Sequence, residues 1–389
     1  MVASPLRRLI GAAALILVCP LLGSSIAQAS SNRCANFTPR ADLSHCDLVG
    51  VNLVGRNLSR ANLTGANLSM ANLSRTNLVR ATLRGADITG ANLATAVLRS
   101  ATLTGANLTS ARLTNAILTG ATLMNTNFTD SALTGVEFSA ARLEGANLTD
   151  ADLTHANLNG ADLNFANLTH AKLTSASLSA TTAIGANFNG ADLYEASLPR
   201  ANLARANFSF TTALGITLAP NHDSVNFAGA NLTRAFFAGA RLPYPNFTGA
   251  FLHRTNFAGA HICCGDFTDS DMSGAVLSGC KCGGVFVAAN LSGADLSGLN
   301  LTNQYLVDAN LTGANLSNTT SVNSYPCQNG CPAPADFAGA NFARADFLGA
   351  TYTGGVTLGN NTWNATTCPD GTNSDNDGGS CTNNGMPAA

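Results

Sequence analysis

Charge is scarce in this 389-residue chain: only 11% of its residues are Asp, Glu, Lys or Arg, and the formal net charge is −2. That excludes a polyanion and a strongly basic nucleic-acid-binding domain, each of which needs a large excess of one sign. Aromatic residues make up 6% with a single tryptophan, against 46% hydrophobic residues and 37 glycines. An ordinary mixed globular core is therefore not what is being specified. No phosphate-cradling glycine loop is present, because the glycines recur at fixed spacing, as turns require. No nucleophile pair is legible around His45, His155, His170, His222, His253 or His261, so catalysis has no support and the histidines read as surface residues.

The longest apolar run is short. Leu9 to Leu22 follows Arg7 and Arg8 and ends in Ala27-Gln28-Ala29, the three parts of a secretory signal. It falls below the roughly 20 residues that cross a bilayer. Cys19 within it lacks the small residues of a lipoprotein cleavage site. Residues 1–29 thus read as a signal peptide, with no membrane span after cleavage and a secreted or extracytoplasmic address in a bacterial cell envelope. Of the 11 cysteines all but Cys19 remain in the mature chain, an even number suited to disulfides in an oxidising compartment.

What the sequence does have is a phrase repeated without pause, as in ANLTGANLSMANLSRTNL from Ala61 to Leu78, with leucine at every fifth residue. In a helix five residues advance about 500°, so the leucines would spiral and never share one side. In a continuous strand an odd spacing throws successive leucines to opposite faces. Within one unit, however, Ala61 and Leu63 are two apart and share a face. A very short strand followed by a corner, repeated, winds the chain round on itself with every leucine pointing to one axis. Stacked coils then pair as neighbouring strands about 4.8 Å apart.

The leucine phase runs from Leu43 to Leu178 and, with lapses at Ala183 and Ala213, to Leu218. It slips by one residue across APNHDSV and resumes as Phe227, Leu232, Phe237, Leu242, Phe247, Leu252, Phe257, Ile262, Phe267, large and smaller residues taking turns. The units ANLTG, ADLTH, ANLNG and ADLYE resemble the A(D/N)Lxx signature of the pentapeptide repeat family, over roughly residues 36–352. The resemblance implies an all-β fold, a right-handed quadrilateral parallel β-helix with four units per coil, hence about fifteen coils and a rod of roughly 70 Å. Val51, Arg56, Thr76, Thr126 and Val136 depart from alanine at the small inward site and mark places of strain or widening.

The expected organisation is a signal peptide at 1–29, an N-terminal cap at 30–42, a first repeat block at 43–218 and a loop at 219–226. A second block at 227–316 carries a register slip near 288–291. An inserted loop at 317–335, a last block at 336–352 and a polar disulfide tail at 353–389 complete it. Open solenoid edges need covering, and a bridge between Cys34 and Cys46 would staple the cap while Cys368 and Cys381 close the tail, with Trp363 as a lid. This tail resembles those of other secreted bacterial repeat proteins. Cys327 and Cys331 pin the inserted loop. Cys263, Cys264, Cys280 and Cys282 form a thiol cluster that could bind zinc. In a secreted chain two inter-coil disulfides are expected instead, with the pairing open.

Asn373, Asp375 and Asp377 resemble the opening of a calcium loop, but position twelve is Asn384 rather than glutamate, so a disulfide-closed turn is the expectation and no cofactor is implied. The Asn-Leu-Ser/Thr sequons are a by-product of the repeat. With twenty residues per coil, Thr89, Thr109, Thr129, Thr149 and Thr169 form one outward column, and Asn107, Asn127, Asn147, Asn167 and Asn187 another beside it. Thr114, Thr134, Thr154 and Thr174 stack on a neighbouring face. Regular threonine ladders on β-solenoids resemble ice-binding surfaces.

The best understood activity that the family resemblance implies is DNA mimicry against a topoisomerase. It needs a strongly negative rod in the cytoplasm, which the leader and the near-neutral charge oppose. The charge is instead uneven: nine arginines and only Asp42, Asp47 and Asp87 between Arg33 and Arg112, then seven acids against Arg142 and Lys172 from Asp130 to Asp192. The expectation is a non-enzymatic scaffold presenting polar faces to a cell-envelope polymer or extracellular protein, with no nucleic-acid partner.

Overall fold

The computed structural model describes residues 33–213, 216, 224–301, 304–322, 336–353, 358, 361–370, 372–374 and 381. The leader, Cys327, Cys331, Asp375, Asp377 and His222 lie outside the described residues, as do the side chains of Cys263 and Cys282.

Every pentapeptide makes the same short element. The residue before the leucine forms a parallel bridge with its counterpart in the next coil, as in Asp42 with Asn62, Asn62 with Thr82, and Asn147 with Asn167. The constant offset of twenty residues means four pentapeptides per coil, with walls that begin at Leu43, Leu48, Leu53 and Leu58. Each unit ends in a turn closed by an amide two residues before the next leucine, which donates to the preceding leucine carbonyl, for example Ala66 N–H to Leu63 at 3.0 Å. The second central turn residue has positive φ throughout, as a type II turn demands. Glycine meets the demand at Gly50, Gly65 and Gly90, but Arg40, His155, Phe165 and Glu195 also adopt it, with φ of 62°, 59°, 57° and 55°. A left-handed non-glycine residue costs about 1–2 kcal/mol. Full burial of the leucine in the same unit contributes about 1.5–3 kcal/mol, so the core carries the turn.

The interior is solid. Leucines and the alanines two residues before them are fully buried from Ala61 to Leu123, and Phe128, Phe138, Phe188 and Phe208 join them further on. Thr76 and Thr126, expected to strain the coil, are fully buried without orphaning a hydroxyl. Thr76 donates to the Leu53 carbonyl at 2.8 Å and Thr126 to that of Leu103 at 2.9 Å. Val136 is fully buried, whereas Val51 is half-buried and Arg56 exposed.

After residue 224 the offset changes with each interruption. Asn202 pairs with Asn226, Asp271 with Asn290, Tyr305 with Asp336 and Asn341 with Thr362. The slip expected near 288–291 lies earlier, where β1 (His261–Asp266) pairs with β2 (Lys281–Val285). Ile262 faces Cys282 but Gly265 already faces Gly284, so β1 bulges by one residue. A side chain on Gly265 would collide with Phe267 and Ile262, and one on Gly284 with the Gly265 carbonyl. The amide of Gly284 is taken up at 2.7 Å by Oε1 of the buried Gln304.

Two block boundaries also move. The repeat runs past 316 into β3 (Thr320–Val322), which pairs in parallel with β4 (Thr351–Thr353). Nor does it end at 352: Thr362 and Thr367 pair with Asn341 and Asp346, which places Trp363 and Cys368 at inward sites. Trp363 is partly buried and packs against the core as expected of a lid, its ring 4.7 Å from that of Phe342 and 6.1 Å from that of Phe347. The chain then folds back antiparallel, Thr367 against Asn373.

Candidate functional site

With the interior filled, chemistry is left to the walls, and the second wall is the most regular. The asparagine before each leucine accepts from the amide two residues on, Thr109 N–H to Asn107 Oδ1 at 3.2 Å and Thr149 N–H to Asn147 Oδ1 at 3.2 Å. This is an Asx turn, and it explains why Asn or Asp recurs at this place. The amide group of the same side chain reaches back one coil: Asn127 Nδ2 donates to Asn107 Oδ1 at 3.3 Å and to Thr109 Oγ1 at 2.9 Å. Asn147, Asn167 and Asn187 repeat both bonds on Asn127 with Thr129, Asn147 with Thr149, and Asn167 with Thr169.

The threonine hydroxyls are thereby committed. Thr109 donates to Asn107 Oδ1 at 2.7 Å while accepting from Asn127, and Thr129, Thr149 and Thr169 do the same in their coils. At the foot of the column Thr89 donates to Asp87 at 2.6 Å and accepts from Asn107 at 2.9 Å. Each hydroxyl has one proton, and it points along the wall. The ladder closes on itself and offers an outside lattice no hydroxyl donor from these threonines.

On the third wall acids enter the columns. Thr134 donates to Asp152 Oδ2 at 3.3 Å and Thr174 to Asp192 Oδ2 at 3.1 Å. Burial raises the Asp152 pKa, but hydrogen bonds from Thr154 and Thr134 and the charge of Lys172 outweigh it and hold the carboxyl below its ordinary value.

The cysteines mark the ends. Cys34 is bonded to Cys46, which fills a small inward site of the first coil, and Cys368 is bonded to Cys381, both fully buried. In the central cluster Cys280 is buried and disulfide-bonded. Cys264, expected in a bridge, has a free and exposed thiol because it sits at the outward turn position with φ of 55°. The expected pair of bridges within this cluster is thus corrected. Among the described residues no group of three or more His, Cys, Asp or Glu side chains could hold a metal ion. Asn373 is occupied as the fold-back partner of Thr367.

The histidines are dispersed. His155 and His170 stand at turns of different walls. His170 Nδ1 lies 3.6 Å from Asp150 Oδ1, and His253 Nδ1 lies 2.8 Å from Ser273 Oγ. His45 leans over Gly65, where a Cβ would sit 2.6 Å from its ring. Sequence reasoning missed this pairing of large turn residues with glycine one coil on. Met70 over Gly90 and Phe165 over Gly185 repeat it, and the signal was the spacing of twenty between each such pair.

These features define a parallel β-solenoid with a closed core, disulfide-stapled ends and polar outer walls. The family model for pentapeptide repeats (8 copies) matches overlapping segments from 41–78 to 171–209, then 223–259, 246–279 and 285–320. The chain belongs to the pentapeptide repeat family, and membership implies a right-handed β-helix.

Among solved structures, HetL, a pentapeptide repeat protein involved in heterocyst differentiation regulation from Nostoc sp. strain PCC 7120, is 23% identical. The match covers 84% of this chain and 94% of HetL at a TM-score of 0.24. A pentapeptide repeat protein of the Arabidopsis thaliana thylakoid lumen is 33% identical over 25% of this chain and 63% of its own, with a TM-score of 0.21. QnrB1, a plasmid-mediated fluoroquinolone resistance protein, is 19% identical over 46% of this chain and 92% of its own, with a TM-score of 0.22. These superpositions are poor, and the family assignment rests on the matched repeats. The search of curated proteins gives no match.

Proposed function

We propose that the protein is an exported, non-enzymatic scaffold, a quadrilateral prism of about fifteen coils whose walls bind a cell-envelope polymer or an extracellular protein. The observation that carries this reading is the division of the repeat. Outside the first coil, where Val51 and Arg56 depart, the inward residues of the repeat units are given to the core, and the variable side chains stand on walls and turns. Export is supported by the leader-like residues 1–29 and by the Cys34–Cys46 and Cys368–Cys381 disulfides, which suit a non-reducing compartment. No helix among the described residues is long and apolar enough to cross a membrane. DNA mimicry against a topoisomerase fits poorly with a formal net charge of −2. An ice-binding role fits poorly with threonine hydroxyls already bonded along the wall.

Fractionating cells that express the full chain tests the address: extracytoplasmic protein with a mature N-terminus near residue 30 is expected, and cytoplasmic retention of the full chain contradicts it. Capture of a stoichiometric partner from the envelope fraction by the disulfide-intact protein is the expected sign of a scaffold. Capture of a cytoplasmic partner instead contradicts that role.

A further inference from the structure

Arg40, Arg60 and Arg80 hold the same turn position in successive coils, where the chain leaves the fourth wall, with φ of 62°, 60° and 57°. Their amides donate to the carbonyls of Ser59, Val79 and Arg99, each at 2.9 Å, so the three turns stack coil on coil and Arg99 stands in the adjoining column just above Arg80. Neighbours in such a column are about 4.8 Å apart. Arg56 and Arg75 stand at the turn that enters the same wall, and all six side chains are exposed. Among the described residues none of the six has a carboxylate within ion-pairing distance. The acids of this stretch are elsewhere: Asp42 pairs with Arg33 at 3.3 Å on the first wall, and Asp47 and Asp87 lie on the second wall, two units away around the coil.

Nothing in the backbone asks for arginine here. The same column continues with Ser100, Gly120, Ala140, Gly160 and Ala180, all at positive φ. Stacked guanidinium groups repel one another, and a fold-only explanation would have used the small residues throughout. Arginine forks pair bidentately with carboxylate, sulfate or phosphate, and two parallel rows flanking a flat wall suit a chain of anions lying along the solenoid axis.

We propose that the fourth wall of the first coils, between Arg40 and Arg99, docks a linear polyanion, an acidic polysaccharide of the cell envelope. The polysaccharide assignment rests on the export reading above. It is favoured over single-stranded nucleic acid because base stacking needs aromatic platforms. The exposed aromatics of the described residues, from Phe165 to Tyr305, all lie beyond this stretch.

The test is calorimetric titration of the mature, disulfide-intact protein with polygalacturonate over a range of salt. Wild-type affinity should fall steeply with salt through counterion release. The triple variant Arg40→Glu, Arg60→Glu, Arg80→Glu should lose roughly tenfold or more at about 50 mM salt and show a shallower salt slope. Glu195 occupies the equivalent left-handed turn position at another corner, with φ of 55°, so glutamate is compatible with this turn. If the glutamate variant misfolds, asparagine replaces it, since Asn115 and Asn125 hold equivalent positions at other corners.

A charge-matched control, Arg205→Glu, Arg254→Glu, Arg344→Glu, should bind within about twofold of wild type if local geometry rather than net charge governs affinity. Wild-type affinity in the Arg40 variant, or equal losses in both variants, would overturn the proposal. An oligodeoxynucleotide of equal charge binding more tightly than polygalacturonate would overturn the polysaccharide assignment. Failure of export would leave the binding result standing, so the two readings fail separately.

Discussion

The coils before residue 213 and those after 224 solve the same packing problem in different ways. In the first stretch the inward column is leucine with few exceptions, the offset stays at twenty, and the second wall carries an unbroken asparagine ladder from Asn107 to Asn207. In the second, phenylalanine occupies alternate walls from Phe227 to Phe267, leucine returns from Leu291 to Leu316, and Phe337, Phe342 and Phe347 fill consecutive walls. Phe227, Phe247, Phe267 and Phe286 stack coil upon coil at 5.1, 5.0 and 4.7 Å between ring centroids. Phe237 and Phe257 meet the stack edge-on from across the axis. The outer ladder is discontinuous there, with Phe251 standing between Asn231 and Asp271. The first stretch thus leans on a continuous outer amide ladder and the second more on stacked rings, with coil-to-coil amide bonds resuming past the bulge, Asn290 to Asp271 at 2.9 Å and Asn310 to Asn290 at 3.1 Å.

The largest way to break that comparison is Phe247→Ala, expected to cost about 3–5 kcal/mol because it opens a ring-sized cavity in the stack. The converse Leu93→Phe, set among Leu73 and Leu113, should cost about 1–3 kcal/mol by overpacking. If urea unfolding shows Leu93→Phe to be neutral, the two cores are interchangeable and the distinction falls.

Next in size is the C-terminal staple. Replacing Cys368 and Cys381 by serine should lower stability by about 2–4 kcal/mol. Hydrogen exchange should speed up in the coil around Phe342 to Thr367 and leave the first stretch protected, as nearest-neighbour coupling requires. Uniform loss of protection would show that the two stretches are not separable.

The ladder gives a smaller contrast. Asn147→Asp removes the donors to Asn127 and Thr129 and should cost about 0.5–1.5 kcal/mol. Asn231→Asp, whose side chain only accepts from Thr233, should be near neutral by the same thermal or urea measurement.

Smallest is the titration of Asp152. Its folded pKa lies below the ordinary carboxyl value of 3.8. The stability it contributes is therefore present above the unfolded pKa and lost as pH falls through the folded one. Asp152→Asn should be slightly less stable than wild type at neutral pH, with the difference closing as pH falls below about 4. A difference that appears only in acid and is absent at neutral pH would contradict the assignment.

The winding, the inward residues and the two end bridges were legible because a period of five admits few backbone solutions. The Asx ladder was not, since the repeat makes asparagine frequent for any reason and only coordinates show its oxygen on the turn amide and its nitrogen on the next coil. Non-glycine left-handed turns escaped notice because propensity favours glycine there, whereas leucine burial pays for Arg40 or Phe165. Trp363 and Cys368 read as tail residues because TWNATTC has no signature residue in register, although its spacing of five persists. The bulge at Cys263–Cys264 was legible as a phase slip before Leu291, but only the strand register places it within β1 and β2, and with it Cys264 outward with a free thiol.

The central claim, four pentapeptides per coil around a filled axis, is tested most directly by paired cysteines on the outer wall, introduced in a Cys264→Ser background. Cysteines at Asn147 and Asn167 face each other across one coil, about 4.8 Å apart, within the about 4.4–6.8 Å that a disulfide spans. The account predicts rapid oxidation of this pair and none for Asn147 with Asp162 or with Lys172. Cross-linking of either control pair with Asn147 and Asn167 unreacted would contradict it.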